Sequence, residues 1–138
     1  MPEVTPWPTG AGTAAELVRS IDWAATSLGP TDRCPSSLRS VVDMLLACSF
    51  PMVALCGPDL VQIYNDSCAA LMGRKHPSGM GQPTAQCWPE VWHFNEPIYR
   101  QVREGNTLTF ENKLLTLERH GFPEDAYFNL CFSPLRDE

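Results

Sequence analysis

With 138 residues, 43% of them hydrophobic and 19% charged, the chain has the make-up of one globular domain rather than of a disordered tail. A net charge of −6 with only 10 basic residues argues against a nucleic-acid surface, and no basic octamer or amphipathic basic helix marks a membrane-attachment site. The longest apolar run falls far short of the roughly 18 residues of a membrane span, and no signal-peptide core opens the chain, so a cytoplasmic protein is expected.

Residues 1–12 carry three prolines and two glycines without a period and read as a loose lead-in. Thr13-Ala14-Ala15-Glu16 has the form of a capping box, and Leu17, Val18 and Ile21 follow at helical spacing. An irregular connection from Ser27-Leu28-Gly29-Pro30 to Pro35 leads to a second helix, capped by Ser36 or Ser37. Its apolar positions Leu38, Val41, Val42, Leu45 and Leu46 give the best amphipathic match in the chain. The residue before Pro51 avoids helical backbone, so this helix ends by Ser49-Phe50.

Pro51–Cys56, the turn Gly57-Pro58-Asp59 and Leu60–Tyr64 then predict a hairpin, with Val61 and Ile63 on one face and Gln62 and Tyr64 on the other. Asn65 and Asp66 can accept from the free N–H groups of a following short helix, whose apolar stripe is Cys68, Leu71 and Met72 and whose stop is Gly73. Arg74–Gln86 predicts turns or single helical turns. The aromatic-dense Cys87–Trp92 stretch is expected to face the core. Asn95 is expected to cap a helix that takes Pro97 in its first turn and points Ile98, Tyr99 and Val102 inward. Thr107–Arg119 reads as a strand with a bulge at Leu114-Leu115, His120–Pro123 as a turn, and Tyr127–Phe132 as a strand with Phe128, Leu130 and Phe132 on one face. Hairpins at either end with helices between them predict an α+β fold with antiparallel pairing.

The residues offer little for catalysis. The six cysteines, Cys34, Cys48, Cys56, Cys68, Cys87 and Cys131, form no C-x-x-C pair and no histidine pair has zinc spacing, so most are expected to be buried thiols in a reducing compartment. Glu111, Glu118, Glu124 and Asp125 fall in strand or turn contexts that favour solvated charge, and no hydrolase, zinc-protease or P-loop motif is present. No catalytic or metal-ligating residue is expected. If the chain encloses a cavity, its wall is expected from Ile63, Trp88, Trp92, Tyr99, Phe110, Phe128 and Phe132; the competing reading, which aromatic stripes favour, is that the rings simply fill the core. Asn65 is the candidate for orienting a ligand, a role that competes with its duty as a helix cap.

Ordered short motifs along most of the chain carry a resemblance. They are Asp22-Trp23, Leu28-Gly29-Pro30, Ser37-Leu38-Arg39, Phe50-Pro51-Met52, Gly57-Pro58-Asp59-Leu60, Tyr64-Asn65-Asp66 and Gly73-x-Lys75-His76-Pro77. Gly81-x-Pro83, Trp88, Trp92, Arg119-His120-Gly121, Tyr127-Phe128 and Ser133-Pro134-x-Arg136-Asp137-Glu138 continue the series. Together they resemble the PAS domains at the front of bacterial sensor histidine kinases. Cys34 and Cys56, where an aromatic is usual, and Ser67-Cys68 depart from that pattern.

The resemblance implies a five-stranded antiparallel sheet with small helices over one face. It also implies an N-terminal lead-in and cap helix over residues 1–36 and a core over 37–138. Only four strands can be read here. The family's last, central strand follows the Arg-Asp-Glu, so the resemblance implies a truncated piece or a partner's segment in that place. It further implies a non-catalytic sensor in a two-component system. Such a module binds a small ligand or a partner domain and signals through a homodimer or a downstream kinase or effector, with no nucleic-acid or membrane partner. The amphipathic helix 37–48 is then a dimer or output contact, or a cap over its own sheet. Haem, held in some members by a histidine near His93, finds weak support. So does flavin, since Thr84 stands where light-sensing members carry cysteine and Cys87 reads as packing. The cofactor stays unknown. The rival expectations are a ligand-free interaction module and, more remotely, a small α+β enzyme.

Overall fold

The computed structural model describes residues 7–8, 12–30 and 34–135; most of the lead-in and the Arg136-Asp137-Glu138 motif lie outside them. The fold is α+β, in the order α1 (Thr13–Ser20), α2 (Ser36–Ala47), β1 (Val53–Cys56), β2 (Val61–Tyr64), α3 (Asp66–Met72), α4 (Thr84–Cys87), α5 (Trp92–Arg103), β3 (Leu108–Leu117) and β4 (Glu124–Phe132). Among the described residues the strands form two two-stranded antiparallel sheets, β1–β2 and β3–β4. The chain divides into two compact units, one ending at Cys87 and the next starting at Trp88.

In the first unit, α1 buries Ala14, Ala15 and Val18. The Val18 carbonyl accepts the indole N–H of buried Trp23 at 2.8 Å. The expected capping box is not formed. Thr13 is the first helical residue, and the Asp66 carboxylate accepts both the Thr13 hydroxyl (2.7 Å) and the Ala14 N–H (2.8 Å). An anion at the start of a helix also suits its dipole. Gly12, at a φ of 110°, brings the chain so close that a Cβ would sit 2.4 Å from Asp66 Oδ2, which only glycine allows. For α2, Pro35 stands at the N-cap position in place of the expected serine cap. Val42 and Leu45 are fully buried and Met44 faces outward.

The β1–β2 register pairs Val53 with Tyr64 and Cys56 with Val61, closed by a turn from Gly57 to Leu60. The two-faced alternation expected for β2 does not appear as a difference in burial: all four of its residues are buried. Its second edge is taken by the 81–84 segment, through Gln62 N–H to the Gln82 carbonyl (3.0 Å), Gly81 N–H to the Gln62 carbonyl (2.8 Å) and Thr84 N–H to the Leu60 carbonyl (3.0 Å). Gln62 is satisfied there too, donating its side-chain amide to the Gly79 carbonyl at 3.0 Å. With both edges and both faces covered, β2 is the axis of this unit.

In the second unit a single 3-10 turn, Pro89–Val91, runs directly into α5. That places the helix start at Trp92 rather than after Asn95, and it leaves Pro97 inside the helix instead of in its first turn. Lacking an N–H, Pro97 removes one helical hydrogen bond there. The β3–β4 hairpin runs from Leu108↔Phe132 to Leu117↔Glu124. Its bulge falls between Phe110 and Lys113, not at Leu114-Leu115, which pair regularly with Tyr127 and Ala126. Asn112 takes the left-handed backbone (φ 51°) that the bulge requires, and its N–H is accepted by Asn129 Oδ1 at 2.8 Å. Near the turn Arg119 pairs with Glu124 at 3.0 Å.

Candidate functional site

Asn65 occupies the corner where β2 becomes α3, and it is wholly buried. Its Oδ1 accepts the Cys68 N–H (2.9 Å), capping α3, and the Met52 N–H (3.2 Å). Its Nδ2 donates to the carbonyls of Phe50 (2.7 Å), Leu45 (3.0 Å) and Cys48 (3.2 Å), the end of α2 and the approach to β1. Two acceptor sites and two donor hydrogens are all an asparagine side chain has, so main chain takes up its polar capacity. One side chain thereby ties α2, β1, β2 and α3 together. Ile63, also named from the sequence as cavity wall, is buried in the same unit.

Beside this corner Tyr64 Oη lies 2.8 Å from His76 Nδ1, the rings meeting edge to face at 5.6 Å. Burial holds the Tyr64 phenol well above its ordinary value, with the Cys87 and Cys68 thiols adding repulsion against a phenolate. Burial likewise pushes the Cys56 and Cys68 thiols up to about 11. These groups stay neutral at physiological pH and behave as packing. All six cysteines are free thiols, with Cys56 and Cys87 buried and Cys131 exposed.

The second unit gathers most of the aromatic residues singled out above. Trp92 and Tyr99 of α5 have ring centroids 5.9 Å apart. Tyr99 meets Phe132 at 6.0 Å, Phe132 meets Phe110 at 6.2 Å, and Phe110 meets Phe94 at 5.2 Å, the last three contacts edge to face. These spacings are those at which ring quadrupoles attract. The result is one continuous array of five rings spanning α5 and the β3–β4 hairpin, each ring only partly buried. Lys113 Nζ stands 5.0 Å over the Phe94 ring at one end. Phe128 belongs to the same strand face as Phe132, and the Arg119 guanidinium lies 6.0 Å from its ring. Trp88 is half-buried in the same unit, and His93 is exposed.

Three contributors escaped the sequence reading: Phe94, Lys113 and Asn95. Starting α5 at Trp92 would have placed Trp92, Asn95 and Tyr99 on one helical stripe at spacings of three and four. Asn95 does not cap the helix. It is 8% exposed, and its side-chain amide makes no hydrogen bond to any described residue. Among the described residues no group of three or more His, Cys, Asp or Glu is gathered to hold a metal ion. No helix among them is long and apolar enough to cross a membrane.

The chain is thus an α+β protein of two hairpin-bearing units, one locked by a buried asparagine and the other carrying a partly open aromatic wall. No family model and no curated protein matches it.

Proposed function

We propose that the chain is a PAS-type sensory module, non-catalytic and cytoplasmic, that binds a small molecule and passes the change to an output domain such as a histidine kinase. The observation that carries this reading is the ring array of Trp92, Tyr99, Phe132, Phe110 and Phe94. All five of these rings keep some accessible surface, which an apolar partner molecule would cover. The Tyr64-Asn65-Asp66 corner, joining a hairpin directly to a short helix, supports the same reading. Signalling in such a module is a population shift, and a ligand moves the balance between two packings only by the difference in its affinity for them.

A second reading, a ligand-free interaction module, draws on the opposite face of the hairpin. There the directly paired Leu114 and Tyr127 are 44% and 66% exposed. Visible absorption of the purified protein followed by native mass spectrometry separates the two. Added mass, coloured or colourless, supports the sensor. A colourless protein of bare chain mass that self-associates or captures a partner domain through Leu114 and Tyr127 supports the interaction module.

A further inference from the structure

We propose that Asn95 is the polar anchor of the small-molecule site in the second unit, and that the molecule it takes is a planar ring bearing an amide-like edge. This rests on the small-molecule reading above and adds the class of ligand. Residues 92 and 99 lie two helical turns apart, about 10 Å along the axis, yet their rings close to 5.9 Å. They converge over the intervening turn, and Asn95 stands in that turn, three residues after Trp92 and four before Tyr99. Two further near neighbours in sequence, Val91 in the preceding 3-10 turn and Ile98 on the helix, are buried and apolar. The amide has no hydrogen-bonding partner among the described residues and its polar atoms keep contact with solvent, so they are open to a partner from outside the chain.

An asparagine side chain presents a carbonyl acceptor beside an N–H donor. Its complement is a neighbouring donor and acceptor in one plane, as on a carboxamide or a lactam ring. Aromatic rings alongside select for a flat partner that stacks or meets them edge-on. A site built to pair with such a group discriminates strongly against an analogue that lacks it.

The test uses a matched pair of probes, 2-naphthamide and naphthalene, bound to the full chain in equilibrium dialysis. The wild type is expected to hold 2-naphthamide about tenfold or more tighter than naphthalene. In Asn95→Leu, which keeps the branched skeleton and removes the amide, that ratio should fall to about one. Equal binding of both probes by the wild type, or discrimination surviving in Asn95→Leu, overturns the anchor and leaves the small-molecule reading standing. Loss of folding in both Asn95→Leu and the smaller Asn95→Ala, read by far-UV circular dichroism, also overturns it, because the amide would then be serving the fold. If neither probe binds and native mass spectrometry finds only bare chain mass, the anchor and the sensor reading fall together.

Discussion

Replacing Asn65 tests whether one buried amide holds the first unit together. Asn65→Ala deprives two N–H groups (Met52, Cys68) of their acceptor and three carbonyls (Leu45, Cys48, Phe50) of their donor. A buried polar group stripped of its partner costs about 1–3 kcal/mol, and a lost N-cap alone costs about 1 kcal/mol. Because carbonyls keep some capacity and water can enter, the total should be about 3–5 kcal/mol, against a typical domain stability of about 5–15 kcal/mol.

Asn65→Asp is the sharper perturbation. Aspartate is as good an N-cap as asparagine, so capping alone predicts a near-neutral change. In the clamp seen here it turns an oxygen toward three carbonyl oxygens, and at neutral pH it should destabilise at least as much as alanine. Urea denaturation gives the stabilities, and amide exchange at Met52 and Cys68 reports the corner itself. Finding Asn65→Asp within about 1 kcal/mol of wild type would refute the clamp.

Asp66→Ala should free the first turn of α1, costing about 0.5–2 kcal/mol and speeding exchange of the Ala14 amide; unchanged exchange would deny the long-range cap. Alkaline pH should weaken the fold. The Cys56 thiol titrates at about 11 in the folded protein against about 9 unfolded, so its contribution is complete below pH 9 and lost as pH climbs through 11. Cys68 acts in the same direction, and Tyr64 follows at higher pH. A melting temperature that stays flat from pH 8.5 to about 11 would contradict this burial. Asn112→Val forces a β-branched residue into a φ of 51° and should cost about 1–3 kcal/mol, whereas Asn112→Gly should be nearly neutral, both read by thermal unfolding.

Several elements were legible in the chain because the forces that shape them act within a few residues. The stripe Leu38–Leu46 carries its own helical period, and Gly57-Pro58-Asp59 sets a turn whatever surrounds it. Asn65, placed between a strand and a helix, was readable as a cap by chemistry alone. Tertiary structure decided the rest. Asp66 had an equally good local use capping α3, and only the approach of a helix more than 50 residues earlier turned its carboxylate to α1. The bulge went to Asn112 rather than to the two leucines because the hairpin's register needed a left-handed residue, a backbone that Asn adopts more readily than Leu. The start of α5 was set by the 3-10 turn stacked on it, and that single shift carried Asn95 from the helix end into its buried side. Which rings meet was likewise beyond periodicity. Phe94, Phe110 and Phe132 lie on three different elements, and their convergence follows from how the hairpin packs on α5, a long-range contact that no local pattern encodes.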